Sequence, residues 1–216
     1  MSYVIKNFAG DIALNAPWDG EQWSNANELK VDTVVKAECG HIPDVRIKML
    51  YNEKYVCGLF KVDDQYVRAV AEKDQDGVCT DSCVEFFVKP QGAECYYNFE
   101  FNCGGTLLLF QVNDLSKKDY EVIPQDELDT IVRFHTMPKI VEPEITEKTT
   151  WFLGFAIPIE FFAKRTGVDA NLKGQVWTAN FTKCADKTSK PHWLSWMPLP
   201  RVAFHLPECF GEISFE

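Results

Sequence analysis

Positive charge is what this chain of 216 residues has least of. Its 22 lysines and arginines stand against 32 aspartates and glutamates, a formal net charge of −10. Nucleic-acid phosphates call for clustered Lys and Arg, and an anionic membrane surface calls for a basic face, so neither is an expected partner. Long apolar runs are also missing. Nothing approaches the roughly 18 consecutive apolar residues of a membrane-spanning helix. The opening MSYVIKNFAGDIAL lacks the apolar block of about 7–15 residues that makes a secretory signal, and the expectation is a cytoplasmic chain. The signatures GxSxG, HExxH, GxxxxGK[ST] and GxGxxG do not occur, which removes the nucleophile-elbow, zinc-hydrolase and nucleotide-loop readings. There is no CxxC and no Cys/His pair at zinc-finger spacing, so that spacing rule gives no structural zinc site. Repeats, linkers and low-complexity stretches are absent, and residues 1–216 read as one domain.

What remains is an ordinary globular composition. Hydrophobic residues make up 46% of the chain, enough for a core and too many for wholesale disorder. Eight cysteines are present, and several sit in strand-like text such as YVCGLF and SCVEFF, where Cys acts as a small hydrophobe. A chain of this size builds a core without staples, so buried, reduced thiols with no disulfide are expected.

Short runs rich in Val, Ile, Phe, Tyr and Thr, separated by turn residues, dominate the chain. Strands are expected at Val31 to Ala37, Val45 to Tyr51, Lys54 to Val62, Cys83 to Lys89, Cys95 to Asn102, Thr106 to Val112, Thr130 to Thr136, Thr150 to Ile157 and Gln175 to Lys183. One short helix is expected at Ile159 to Arg165, after Pro158 and before Gly167, and 113–129 reads as a polar surface loop. The fold class is all-β: a single-domain antiparallel sandwich, jelly-roll or immunoglobulin-like, with at most one or two short helices.

Period-2 alternation assigns faces. Val84, Phe86 and Val88 point one way; Cys83, Glu85 and Phe87 the other. Tyr97, Phe99 and Phe101 face the core and leave Asn98, Glu100 and Asn102 in a row. Trp177, Ala179 and Phe181 share a face, and Thr178, Asn180 and Thr182 share its reverse. Residues 191–205, PHWLSWMPLPRVAFH, add two Trp, two His and one Arg. Aromatic rings beside carboxylates and amides suit a sugar, whose apolar C–H face lies on a ring while its hydroxyls need fixed polar partners. The candidate site is a floor of Glu85, Asn98, Glu100, Asn180 and Lys183, a stacking wall of Trp193 or Trp196, and His192 at the rim. Lys183 falls with Trp177 and Phe181 by strict alternation, so it joins the floor only if a bulge or the strand end re-aims it. Against this stand plainer readings: a solvated acidic face, and tryptophans that plug a sandwich edge. Two other functions fit the residue types. Glu85 and Glu100 match the paired carboxylates of a glycoside hydrolase, and His192, His205 or Met197 match axial ligands of haem.

Five segments in order, DSCVEFFVKP (81–90), YYNFEFNCGGTLL (96–108), WTANFTKC (177–184), PHWLSWMPLP (191–200) and FHLPECFGEISF (204–215), resemble the carbohydrate-binding module family 9-like domain over essentially the whole chain. The resemblance implies a sandwich of two antiparallel sheets, non-catalytic binding of plant-polysaccharide oligosaccharides of the xylan or glucan type, structural calcium, and association with glycoside hydrolases such as xylanases. In that family two tryptophans sandwich a terminal sugar. The positions that match them here are Cys79, six residues before Glu85, and Lys183, three after Asn180. Trp193, Trp196 or Tyr97 would then supply the ring.

Overall fold

The computed structural model describes residues 1–37, 40–114 and 118–216. Two sheets face one another. The first runs β10 (Tyr120–Val122), β9 (Leu107–Val112), β8 (Tyr96–Asn102), β7 (Cys83–Lys89), β14 (Val176–Cys184), β16 (Gly211–Phe215) and β1 (Ser2–Asn7). The second runs from β1 through β4 (Asp44–Tyr51), β5 (Tyr55–Asp64) and β13 (Thr149–Pro158) to β11 (Val132–His135), with β2 (Glu28–Lys30) against β4. The far half of β14 is flanked by β15 (Trp193–Ser195), which also pairs β3 (Thr33–Lys36). A separate ribbon joins β6 (Val67–Ala69) to β12 (Val141–Ile145). Among the described residues, no helix is long and apolar enough to cross a membrane.

The sandwich is not purely antiparallel, because β1 is parallel to both neighbours. Its residues 2–5 pair β16 and its residues 6–7 pair β4. One strand thereby donates to both sheets and closes that side, so neither sheet has a bare edge there. Helices also exceed the expectation. The helix over Ile159–Thr166 (α3) forms and ends on Gly167 in the left-handed region, φ 73°, the geometry a C-terminal glycine supplies. Two four-residue helices, α1 (Glu21–Ser24) and α2 (Gln125–Leu128), accompany it. The stretch read as a surface loop carries β10 and α2 because Ile123 and Leu128 are buried there. Two apolar anchors in polar text are too few to give a legible period.

The core lies between the sheets and is built from the alternation. Val84, Phe86 and Val88 of β7, Phe99 and Phe101 of β8, and Trp177 and Phe181 of β14 meet Phe60 of β5 and Leu153, Phe155 and Ile157 of β13. The rings stack. Phe86 lies 5.6 Å from Phe155 and 5.2 Å from Phe181, and Phe101 lies 5.4 Å from Phe155 with planes 3° apart. Such offset stacks add about 0.5–1.5 kcal/mol each beyond the area they bury. Gly58 makes room for them: a Cβ there would sit 2.3 Å from the Phe155 ring. This stack fixes which face of β7, β8 and β14 points inward, and so which face is left for a site.

Candidate functional site

The three central strands present their reverse face to the outside. Register aligns it: Glu85 stands opposite Glu100 on one side and Thr182 on the other. Phe87 is opposite Asn98 and Asn180, and Cys83 is opposite Asn102 and Cys184. The face is roofed instead of bare. Ala71, Val78, Trp193, Phe204 and Phe210 form one apolar cluster with Cys83, Phe87, Tyr96, Leu108 and Cys184 of that face. A cavity of roughly 350 Å³ remains, lined by Glu85, Glu100 and Asp186, by the rings of Phe87, Phe110, Trp193, Phe204 and His205, and by Cys79, Leu108 and Cys184. That size falls at the small end of ligand sites, about 300–1,000 Å³.

The two glutamates form the floor, and both are buried. Glu85 accepts hydrogen bonds from Thr182 Oγ1 and from Cys184 Sγ, the latter at 3.1 Å. Glu100 accepts from Asn98 Nδ2 at 2.7 Å. These donors hold the carboxylates in place on a rigid sheet. Trp193 forms a wall: its indole N–H donates to Asp186 and its ring lies 4.6 Å from that of Phe204. His205 is oriented by Tyr96, whose hydroxyl lies 2.9 Å from Nδ1. Among the described lining residues there is no Lys or Arg. The resulting field is visible on Cys79, whose thiol is pushed up to about 12 by burial and then by Glu100, Glu85 and Asp186. Such a cavity accepts hydrogen bonds from hydroxyl groups and offers ring faces to C–H groups.

The structure places the expected site residues in three groups. Glu85, Glu100 and Trp193 line the cavity together. Asn98 and Asn180 share that face but are engaged behind it. Asn98 holds Glu100 and accepts from the Phe110 N–H at 3.3 Å; Asn180 Oδ1 accepts from the Met197 N–H at 3.0 Å, while its Nδ2 is buried without a partner. Lys183, His192 and Trp196 lie elsewhere. No bulge re-aims Lys183: it pairs in register with Val84 and points to the opposite side of the sheet, where Nζ sits 3.5 Å from Asp64 and 2.9 Å from His192 Nε2. His192 is buried against it, not at a rim. Trp196 packs on Phe181, 5.7 Å between rings, and seats against Gly211, where a Cβ would be 2.7 Å from the indole. Tyr97 likewise belongs to the core.

Of the two positions matching the family's tryptophans, Cys79 lines the cavity and Lys183 does not. Sequence reading missed Phe87, Leu108, Phe110, Cys184, Asp186 and Phe204 as lining residues. Only the position of Asp186 beyond the end of β14 hinted at its exposure. The haem reading loses two of its three candidate ligands: both ring nitrogens of His192 are taken, by Lys183 and by the Lys190 carbonyl, and Met197 packs against the core, so that His205 alone of the three lines the cavity. Among the described residues one group of three His, Cys, Asp or Glu side chains converges, Cys83, Glu85 and Cys184. Calcium takes six to eight oxygens, so this sulfur-rich group does not fit the calcium that the resemblance implied.

An all-β sandwich whose outer sheet face carries a cavity of rings and carboxylates defines a ligand-binding sandwich. The model of carbohydrate-binding family 9 matches residues 21–215, and the chain belongs to that family. Among solved structures it is similar to a candidate carbohydrate-binding protein from Bacteroides uniformis ATCC 8492, with 32% identity over all of this chain and 99% of that one and a TM-score of 0.85. It is also similar to a carbohydrate binding module family 9 from Caldicellulosiruptor kristjanssonii in complex with cellotriose, with 10% identity, 100% and 94% coverage and a TM-score of 0.67. The glucose complex gives 11%, 100% and 96%, and 0.65. At these identities the two complexes show the fold alone. No curated protein matches the chain.

Proposed function

We propose that this is a non-catalytic carbohydrate-binding domain whose cavity takes the end of a neutral oligosaccharide of the glucan or xylan type. The observation that carries the reading is the Glu85–Glu100 pair, side by side on adjacent strands at the base of a cavity walled by Trp193. Carboxylates accept hydrogen bonds from vicinal hydroxyls, and the indole supplies the flat apolar face that a pyranose stacks on. The cellotriose and glucose held by the Caldicellulosiruptor kristjanssonii modules support this ligand class. Association with hydrolases of the same polysaccharide extends the reading.

The test is calorimetry with glucose, cellotriose and a xylo-oligosaccharide on the wild type and Glu100→Ala. A charge-assisted hydrogen bond contributes about 1.5–3 kcal/mol, so the variant binds at least about tenfold more weakly. Unchanged affinity, or no binding of any of these sugars by the wild type, refutes the site.

The rival reading is glycoside hydrolysis by the same two glutamates. In a glycosidase the carboxyls flank the scissile bond, one as acid and one as base or nucleophile. Here they stand shoulder to shoulder on one floor, each bound by neighbours on its own sheet. No turnover of aryl glycosides or xylan is expected. Turnover that disappears in both Glu85→Gln and Glu100→Gln would overturn the binding-only view.

A further inference from the structure

Cys83 and Cys184 are opposite one another on β7 and β14, and Glu85 follows Cys83 by two residues on the same face. Both cysteines are free and buried. One donor atom from each of the three side chains lies within 4.8 Å of the other two. Glu85 Oε1 is 3.1 Å from Cys184 Sγ and 3.9 Å from Cys83 Sγ. In a tetrahedral zinc shell, with Zn–S bonds of about 2.3 Å and Zn–O of about 2.0–2.2 Å, sulfur and oxygen ligands stand about 3.5 Å apart and two sulfurs about 3.8 Å apart. The observed sulfur–oxygen spacings bracket the first of these, so the oxygen shifts by only a few tenths of an ångström relative to each sulfur, and the two sulfurs lie within 4.8 Å of one another.

We propose that Cys83, Cys184 and Glu85 form a binding site for one thiophilic divalent cation of the Zn²⁺ or Cd²⁺ class. Two sulfurs and one carboxylate oxygen select such ions over calcium or magnesium, which take oxygen shells. Each thiol loses its proton to solvent as its metal–sulfur bond forms, so one cation replaces two protons and no oxidant is required. An entry path exists, because Cys184 and Glu85 both line the cavity. Because two of the three ligands line the cavity, the proposal leaves the fourth position to a water there, as in zinc sites with an open corner. The zinc-spacing rule does not see this group because the two cysteines are brought together by strand register, not by a local motif. The site stands on these three residues whether or not the cavity takes a sugar. Where it does, metal and sugar share Glu85.

The experiment titrates the reduced, full-length chain with Cd²⁺ alone and follows sulfur-to-metal charge-transfer absorption, then displaces the ion with Zn²⁺. The expected result is a band that saturates at one equivalent, survives in Cys209→Ser, and is lost in Cys83→Ala/Cys184→Ala. Glu85→Gln keeps both thiols and the packing, and is expected to weaken Cd²⁺ at least tenfold while retaining the band, so the proposal stays testable if the double variant folds poorly. A wild type with no one-equivalent band, a band that persists in the double variant, or a Glu85→Gln variant that binds Cd²⁺ as the wild type does overturns the assignment.

Discussion

Lys183 donates its ammonium to Nε2 of His192 at 2.9 Å, on the side of β14 turned away from the cavity. The same ammonium lies 3.5 Å from Asp64 and donates to the Cys184 carbonyl at 3.0 Å. Asp64 in turn meets His41 Nε2 at 2.8 Å. Burial alone would raise the Asp64 carboxyl, but Lys183, the His41 hydrogen bond and His192 overcome it and hold the group well below the usual carboxylate range. The position that would bear a sugar-stacking tryptophan by family resemblance is instead the centre of a buried ion pair that ties β14 to the end of β5.

Lys183→Ala therefore tests structure, not ligand contact. Removing one partner of a buried pair leaves the other charge stranded and costs about 3–5 kcal/mol. Thermal melts are expected to show a large drop in Tm, while calorimetry on the folded fraction gives sugar affinity within about twofold of wild type. A variant with normal Tm and lost binding would place Lys183 at the ligand after all.

The same cluster makes stability depend on pH. Burial and then the Lys183 charge press the His192 imidazole down to about 3, against about 6.5 in an unfolded chain. Between those values the unfolded chain binds a proton that the folded chain refuses, so stability rises with pH across this window. It is complete above about pH 6.5 and declines as pH falls toward 3, with Asp64 adding a further loss only below the ordinary carboxylate range. Going from pH 7 to about pH 4.5 is expected to remove about 2–3 kcal/mol from this group. Denaturation curves across that range, compared with His192→Gln, check it: the variant's pH dependence is flatter. Identical slopes would remove His192 from the account.

Trp193 and Trp196 are expected to part company. Trp193 walls the cavity, so Trp193→Ala weakens sugar binding at least about tenfold, roughly 1.4 kcal/mol, with a modest change in Tm. Trp196 is in the core against Phe181 and Gly211, and Trp196→Ala lowers stability by about 3–5 kcal/mol with affinity intact. Paired melts and titrations distinguish the two; the reverse pattern would exchange their roles.

Gly58→Ala probes the aromatic stack. Its Cβ would enter the Phe155 ring, and the ring is wedged between Phe86 and Phe101. Overpacking of a core costs about 1–3 kcal/mol. A lowered denaturation midpoint with unchanged denaturant dependence is the expected outcome; an unchanged midpoint would mean that the stack yields freely.

Strand content and facing were legible in the sequence. Alternation along Cys83–Lys89 and Tyr96–Asn102 put Glu85, Phe87 and Glu100 on one side and Phe86, Phe99 and Phe101 on the other, and the register bears this out. It also assigned Lys183 to the core face, which is where it lies. Side-chain direction along an extended chain repeats every two residues, so it is a local property that the residue order carries.

What covers each face was decided only by the tertiary structure. Trp193 and Trp196 are three residues apart in one aromatic segment, yet one walls a cavity and the other fills the core. Lys183, Asp64 and His192 come from β14, β5 and the segment leading into β15, and Cys83 meets Cys184 across a hundred residues of chain. Such meetings follow from strand order and register, which the hydrophobic pattern of the whole sandwich selects. No single segment contains that information. The residues of the site were therefore readable by type and by side of the sheet, and their assembly into a cavity, a buried ion pair and a thiol–carboxylate group waited on the fold.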